Sequence, residues 1–323
     1  MIRSVIKGVG HYLPARVVEN DWFTTFLDTS NDWIVSRSGI ERRHFAADGE
    51  MTSDLATNAA RAALADAGMR ADDIDAIIVA TSTPDLTFPA TATIVQEKLG
   101  MTRGFAFDVQ AVCAGFIYAL TNADALILSG QAKRVLVIGA ETFSRIMNWE
   151  DRGTCVLFGD GAGALVLEAG TGAGTAADRG ILATDLHSDG RFRDILQVSG
   201  GVSSSQTTGH LMMAGKEVFR HAVEKLAKST LDVMAKAGVT ADQIDRVVPH
   251  QANIRIITRT AAKLDLPMDK VVVTVADHGN TSAASIPLAM SVAKGRGQLK
   301  EGDLTVTEAI GGGLAWGAVL LRW

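Results

Sequence analysis

Apolar residues along this chain fall into two alternating patterns. Short β-rich runs occur at Ile74–Thr81, Arg134–Ile138, Ala164–Leu167, Arg246–Val248, Val271–Val275 and Ala318–Leu321. Between them lie longer Ala-rich stretches with helical spacing, such as Thr52–Ala67, Ala114–Ser129, Lys216–Ala237 and Ile254–Leu264. Strands that alternate with helices in this way predict βαβ units, and so an α/β fold whose central sheets are covered by helices. The Ala114–Ser129 stretch is apolar on nearly every face, which predicts a buried helix closed at Gly130.

The pattern also repeats. ADDIDAII (71–78) and ADQIDRVV (241–248) share Ala, Asp, Ile and Asp at an offset of 170. FAFDVQAVC (105–113) and VTVADHGNTS (273–282) each run from an apolar strand into a polar turn, with Asp108 and Asp277 offset by 169. Two nearly equal offsets of about half the chain predict two similar halves packed face to face, with a site where they meet. The Gly- and Ala-rich bridge TGAGTAADRG (171–180) supplies the boundary, giving an N-terminal half 1–172 and a C-terminal half 173–323.

Composition narrows the class. The 323 residues are 47% hydrophobic and 21% charged, with 32 Gly and 6 Pro, which excludes a disordered, collagen-like or disulfide-rich chain. A net charge of -5 argues against a nucleic-acid partner but leaves room for local basic patches. No window approaches eighteen unbroken apolar residues, so no membrane span or membrane partner is expected. The opening MIRSVIKGVGHYLP reads as a strand ending in a Pro turn rather than a signal peptide. The expectation is a cytoplasmic protein whose two cysteines, Cys113 and Cys155, stay reduced, so that one of them can be a reagent.

Cys113, in DVQAVCAGF, falls where a strand turns into the buried helix. A helix N-terminus behind the sulfur favours the thiolate, predicting a thiol pKa below its usual value, and the residue's own N–H can serve an oxyanion. The alternative is a buried structural cysteine. Cys155, in GTCVLFGDG, sits among apolar neighbours and reads as packing. The cysteines are far apart and no histidine pairs with another at i+3 or i+4, so no metal site is expected. His250, in VVPHQANIRII, closes a strand and opens a helix, the usual place of a ligand crevice in an α/β sheet; a satisfied core histidine is the alternative. Asn280, in DHGNTSAASIP, is either a helix cap or, by the internal repeat, the partner of the Cys113 turn. FGDGAGALVLE (158–168) leads into a strand and so is no phosphate loop, while Gly311, Gly312 and Gly313 allow a backbone N–H to approach a ligand or simply make a tight turn.

Together these pieces resemble the β-ketoacyl-acyl carrier protein synthase III family of thiolase-fold condensing enzymes. SNDWIVSRSGIERRH, VQAVCAGFIYAL, DRGTCVLFGDGAGA, DLHSDG, HLMMAGKEVF, VPHQANIRII and HGNTSAAS stand in family order, and the similarity spans effectively the whole chain. The resemblance implies a duplicated five-layer α-β-α-β-α core and a homodimer. It implies that Cys113 takes an acyl group from a short acyl-CoA such as acetyl-CoA. His250 and Asn280 would then hold the thioester carbonyl of malonyl-acyl carrier protein while it loses carbon dioxide. The backbone N–H groups of Cys113 and Gly312 would form the oxyanion hole. Trp33, Arg37 and Arg152 map to the coenzyme A site and Arg255 to the docking rim for an acidic carrier protein, with Lys216, Arg220 and Lys263 as nearby candidates for that rim; an ordinary solvated charged face is the alternative for each of these basic residues. No metal or redox cofactor is implied, because decarboxylation itself generates the carbanion; coenzyme A thioester and carrier protein are substrates.

Two positions bear on the acyl pocket. Ile310 stands where relatives often carry Phe, and Phe88 matches a position that can cap the pocket across a dimer interface, favouring a short primer. Other readings stay open. A relative using a longer acyl starter for a secondary metabolite or signal shares the same residues. A Cys–His thioester hydrolase would use His250 as base toward water. A degradative thiolase would need a second cysteine, where the repeat offers Thr281 and Ser282.

Overall fold

The computed structural model describes residues 1–323. The first half runs β1 (Ile2–Tyr12), β2 (Arg16–Glu19), α1 (Asn20–Phe23), α2 (Asn31–Ser38), β3 (Arg42–Phe45), α3 (Thr52–Ala67), β4 (Ala76–Ala80), α4 (Thr91–Lys98), β5 (Phe105–Val109), α5 (Gly115–Leu128), β6 (Arg134–Glu141) and β7 (Gly161–Thr171). The second runs β8 (Gly180–Ser188), β9 (Leu196–Val198), β10 (Leu211–Met213), α6 (Gly215–Ala237), β11 (Arg246–Pro249), α7 (Ile254–Lys263), α8 (Val275–His278), α9 (Ser285–Gly295), β12 (Leu304–Gly311) and β13 (Ala315–Arg322). Two large sheets result, ordered β1-β7-β6-β4-β5 and β8-β13-β12-β11.

The five layers follow from the period-two alternation of side chains along the strands. On β4, Ile77 and Val79 face one way and pack with Leu55, Ala59 and Ala63 of α3. Ala76, Ile78 and Ala80 face the other way, into a cluster of 32 buried residues that also holds Phe116, Ile117 and Leu120 of α5 and Ile286, Ala289 and Met290 of α9. Val319 and Leu321 of β13 close that cluster from the second sheet, while Ala318 and Leu320 face α6 and α7 in a third cluster. Helix α5, apolar nearly all round, occupies this central layer, as its pattern predicts.

The 71–78 and 241–248 segments do the same work in each half. Each begins with a one-turn 3₁₀ helix whose third residue reaches back: Asp73 accepts from the Arg70 N–H at 2.8 Å, and Gln243 from the Thr240 N–H at 2.9 Å. Asp75 then donates its N–H to the Arg134 carbonyl and accepts the Arg134 N–H at its carboxylate, both at 2.9 Å. Asp245 does the same with Leu304, accepting at 2.8 Å. The shared Asp is thus a clamp on the neighbouring strand, and both members of the pair shift by 170.

The second repeat fails in detail. Val271–Val275 is not a strand: only Val271 bridges to Val247, and Val275 already begins α8. Asp108 caps α4 through the Thr91 and Ala92 N–H groups, at 2.7 and 2.8 Å, whereas Asp277 sits on α8 and pairs with Arg42 and Arg296 at the surface. The side chain of Gln251 does what the missing strand would. It donates to the Pro249 and Val272 carbonyls and accepts from the Thr274 and Val275 N–H groups, tying that segment to β11 without a ladder.

Candidate active site

The two halves meet at a pair of turns. Val112–Ala114 is a one-turn 3₁₀ helix leading into α5, and Ser282–Ala284 is another leading into α9. Each opens on a non-glycine residue in the left-handed region, Val112 at φ 50° and Ser282 at φ 49°. This backbone is costly for a β-branched Val and persists only where its surroundings enforce it. The offset is 170, so Cys113 corresponds to Ala283, not to Thr281 or Ser282. Close packing locks the pair: a Cβ on Gly139 of β6 would overlap the Ala283 carbonyl, and one on Gly311 would stand 2.6 Å from the Cys113 nitrogen.

One cavity of about 550 Å³ opens at this junction. Cys113, His250 and Asn280, all nearly buried, line it together with Ile310, while Trp33, Arg37, Lys216 and Arg255 line it nearer the surface. Gly311 abuts the Cys113 amide, and Gly312 follows it against Leu196 and Val112, two residues of the same wall.

The electrostatics are those of buried groups. Burial pushes the Cys113 thiol up to about 12, with the buried Glu141 carboxyl adding to the effect. This corrects the expectation of a depressed thiol pKa. The Ser282 hydroxyl and the Cys113 N–H favour the thiolate, but its desolvation outweighs them. Burial also holds the His250 imidazole neutral, down at about 3. His250 Nδ1 lies 2.6 Å from Ser285 Oγ, and Nε2 has no partner in the protein. Asn280 is oriented by its own turn. Its Oδ1 accepts the Ser282 N–H at 2.9 Å, which leaves the Nδ2 hydrogens free, and its backbone is held by Leu157 and Gly159.

Two buried carboxyls stand close by. Glu141, raised to about 7 by burial, accepts from the Ser82 N–H at 3.0 Å and the Thr83 hydroxyl at 2.8 Å. Glu308 on β12, whose carbonyl accepts the His250 N–H at 2.9 Å, is raised to about 8 and its Oε2 has no partner. Neither carries a motif that sequence reading could use.

At the mouth, Ser30 caps α2 by accepting the Trp33 N–H at 3.1 Å, and Asn253 donates to the Arg37 carbonyl at 3.0 Å, fixing α2 against α7. The Arg37 guanidinium lies 4.4 Å from the Trp33 ring centre and that of Arg152 lies 5.2 Å away. Arg152 also pairs with Asp28 at 3.2 Å. Arg220, Arg255 and Lys263 line a neighbouring depression of about 500 Å³, joined by Arg259, which the sequence reading missed. Its signal was available: Arg255, Arg259 and Lys263 recur at i, i+4 and i+8. Phe88 is 83% exposed and lines no part of the Cys113 cavity within this chain. Cys155 is fully buried in an apolar cluster with Phe23, Phe143 and Phe158, in keeping with a packing role.

Comparison with known proteins identifies the family. Residues 107–190 match the family model described as 3-oxoacyl-[acyl-carrier-protein (ACP)] synthase III, and residues 234–323 match the model of its C-terminal part. The chain is 73% identical over 321 residues to the beta-ketoacyl-[acyl-carrier-protein] synthase III of Ruegeria pomeroyi, covering 99% of each. It is 71% identical over 322 residues to that of Cereibacter sphaeroides, covering 100% of this chain and 99% of the relative. The crystal structure of 3-oxoacyl-[acyl-carrier-protein] synthase III from Aquifex aeolicus superposes with a TM-score of 0.93 at 45% identity, covering 99% of this chain and 100% of that one.

Proposed function

The chain belongs to the 3-oxoacyl-[acyl-carrier-protein] synthase III family, and on that footing we propose a division of labour in which Cys113 carries the acyl group and His250 and Asn280 serve the second substrate. As a member of this family the protein is an acyltransferase with the thiolase fold. It catalyses the initiating condensation of fatty acid synthesis, joining an acyl-CoA primer to malonyl-acyl carrier protein with release of coenzyme A and carbon dioxide.

In the first half-reaction Cys113 Sγ attacks the thioester carbonyl of the primer. The thiol is neutral at rest, so its proton leaves as the C–S bond forms and departs with coenzyme A as the free thiol. The Cys113 N–H, in the turn leading into α5, stabilises the tetrahedral oxyanion; the Gly312 N–H is the proposed second donor, from the turn that presses Gly311 against Cys113. In the second half-reaction the bond from the malonyl methylene to its carboxylate breaks, giving carbon dioxide and an enolate. Two hydrogen bonds, from His250 Nε2–H and Asn280 Nδ2–H, hold the enolate oxygen. The carbanion attacks the acyl-Cys113 carbonyl, the thiolate leaves, and one proton taken up from solvent restores the thiol, so that each turnover consumes one proton.

The observation that carries this reading is the shared cavity with a neutral imidazole and an amide whose oxygen is already occupied. Both groups are prepared as donors, as an enolate requires. A hydrolase needs an unprotonated nitrogen facing water, which the free Nε2 edge does not offer if Ser285 donates to Nδ1.

Trp33, Arg37 and Arg152 are proposed to hold coenzyme A, the adenine displacing a guanidinium from the indole face. Lys216, Arg220, Arg255, Lys263 and Arg259 are proposed to steer the acidic carrier protein. A homodimer is supported by the open edge of β5, where Phe105 and Phe107 stack at 6.4 Å, and by the exposed Leu86 and Phe88 nearby in sequence to α4. In that arrangement Phe88 of one protomer would limit its partner's acyl pocket, with Ile310 shaping the wall beside Cys113, and acetyl-CoA would be preferred over longer primers.

Incubation with acetyl-CoA should add one acetyl group to the peptide containing Cys113, and malonyl-acyl carrier protein should then yield acetoacetyl-carrier protein. An acyl-enzyme discharged only by water, or no acyl-enzyme at all, would overturn the proposal. A panel of straight and branched acyl-CoA primers reads the pocket.

A further inference from the structure

The His250 imidazole makes its one side-chain hydrogen bond away from the cavity, to Ser285. Ser285 is the first residue of α9 and is 2% exposed. Its Oγ has two partners. One is His250 Nδ1 at 2.6 Å; the other is the Gln251 backbone N–H at 3.3 Å. A backbone N–H can only donate, so Ser285 Oγ is an acceptor toward Gln251. That geometry is rigid, because the Gln251 side chain is fully used in its four hydrogen bonds to Pro249, Val272, Thr274 and Val275.

The hydroxyl has one hydrogen left to place, and Nδ1 is the only acceptor it reaches. Were Nδ1 protonated instead, two hydrogens would face each other across 2.6 Å or the buried hydroxyl hydrogen would have no partner, at a cost of about 1–3 kcal/mol for a buried unsatisfied group. A neutral imidazole carries one N–H, so the other nitrogen must hold it.

Resting on the assignment of His250 as an enolate donor, we propose that Ser285 is a positioning residue that fixes the Nε2–H tautomer, so that the imidazole presents a donor to the thioester oxygen before substrate arrives. The burial that keeps the ring neutral makes the tautomer matter, since an imidazolium would donate from both nitrogens whatever Ser285 did. The second half of the molecule thereby prepares both donors by one device, a fixed hydrogen bond on the far atom: the Ser282 N–H on Asn280 Oδ1, and the Ser285 hydroxyl on His250 Nδ1.

The test separates the two half-reactions in the full-length protein. In Ser285→Ala, acylation of Cys113 by acetyl-CoA is expected to stay within about twofold of wild type. Decarboxylation of malonyl-acyl carrier protein is expected to fall roughly 10- to 100-fold in kcat with little change in KM, short of the 10²–10³-fold loss for removing an oxyanion donor outright. Ser285→Thr, which keeps the hydroxyl, should recover most of that rate. The ¹⁵N spectrum of labelled histidine should show an unprotonated Nδ1 for His250 in wild type and a mixed or reversed tautomer in Ser285→Ala. Wild-type decarboxylation by Ser285→Ala overturns the proposal, and so does an unchanged tautomer. Equal slowing of both half-reactions also overturns it, since that pattern belongs to a general packing defect. His250→Ala is the separate control: if it decarboxylates at the wild-type rate, the assignment of His250 as a donor fails, whatever Ser285 does.

Discussion

The turn at Val112–Ala114 and the turn at Ser282–Ala284 share backbone, position and following helix, yet they carry opposite chemistry. The first exposes a sulfur to the cavity at Cys113. At the equivalent place the second has Ala283, whose Cβ lies 3.4 Å from the point where a Cβ on Gly115 would stand, and it moves its reactive groups to the flanks, at Asn280 and, through Ser285, at His250. Duplication therefore supplied the scaffold twice, and a nucleophile only once. A condensing enzyme needs this asymmetry, because one substrate must be held covalently while the other is held by donors that form no bond to it. A single cavity has room for both roles only if each turn gives up the other's.

Exchanging the chemistry of the turns breaks the comparison most severely. Cys113→Ser should abolish acylation by acetyl-CoA and cut condensation by roughly 10³-fold or more, measured by intact mass and product formation, while the protein stays folded. Ala283→Cys should not restore it. A sulfur there meets the packed interior beside Gly115 and Gly139, so the expected result is no acylation and a stability loss of about 1–3 kcal/mol by denaturant unfolding. Acyl transfer to the introduced thiol when Ala283→Cys is combined with Cys113→Ser would show the two turns to be functionally equivalent after all.

Asn280→Ala tests the other side of the asymmetry. It should leave the acyl-enzyme forming at near wild-type rate and slow decarboxylation by roughly 10²–10³-fold, as expected for one lost oxyanion donor. A matching loss in both half-reactions would mean that the second half also serves the nucleophile.

How much of this is legible in the sequence depends on whether a role has a local signature. The Asp75 and Asp245 clamps stand in plain view in the matched ADDIDAII and ADQIDRVV segments, because a turn followed by a strand is written in consecutive residues. The buried helix after Cys113 is equally plain. The strand expected at Val271–Val275 does not form, since its pairing is taken over by the Gln251 side chain, and a glutamine in a loop carries no sign of that duty. The sequence repeat misplaces the position opposite Cys113 by a residue or two, because the Asp108–Asp277 match shifts the register. The offset of 170 between the ADDIDAII and ADQIDRVV segments points to Ala283 instead, and the paired left-handed residues Val112 and Ser282 settle the choice. The thiol pKa shift expected from helix position has the wrong sign, because helix position is local while burial of the sulfur comes from the fold as a whole, with the Glu141 carboxyl of β6 adding to it. Cys113, His250 and Asn280 are singled out by their places at strand ends and helix starts, the family motifs supply their roles, and the cavity that gathers them requires the fold.

The close seam between halves gives a smaller, structural prediction. Gly139→Ala places a methyl on the Ala283 carbonyl, so the turns must separate; a loss of at least about 1–3 kcal/mol in urea unfolding is expected, with condensation falling in step. The two buried carboxyls then distinguish the halves by pH. Each is raised above its unfolded value, so each contributes stability that is complete below about pH 4.5 and is lost as pH rises through its folded value. That value is about 7 for Glu141, whose Oε2 accepts three hydrogen bonds, and about 8 for Glu308, whose carboxyl accepts none. Glu308→Gln, neutral at every pH, should flatten the decline of stability between about pH 4.5 and 8 by up to about 1.4 kcal/mol per pH unit. An unchanged slope would place a charged, solvated carboxylate at 308.

The outer helices offer the mildest contrast. α7 carries Arg255, Arg259 and Lys263 along one face with no acidic residue, whereas α4, which covers the first sheet, carries only Lys98 beside Glu97. Arg255 belongs to both the cavity and the neighbouring depression; Arg259 belongs to the depression alone. Arg259 therefore separates steering from chemistry. Arg259→Glu should raise the KM for malonyl-acyl carrier protein several-fold at low salt and leave that for acetyl-CoA unchanged, because a rim charge acts on encounter with an acidic partner rather than on the bound state. The difference should shrink as ionic strength rises to about 0.15 M and above, where screening reaches within about 8 Å. The matched reversal on the other half, Lys98→Glu, should change neither constant, although it sacrifices the 2.7 Å pair with Asp54. Equal effects from the two substitutions would mean that the carrier protein responds to the net charge of the molecule, and that the stripe on α7 is an ordinary solvated face.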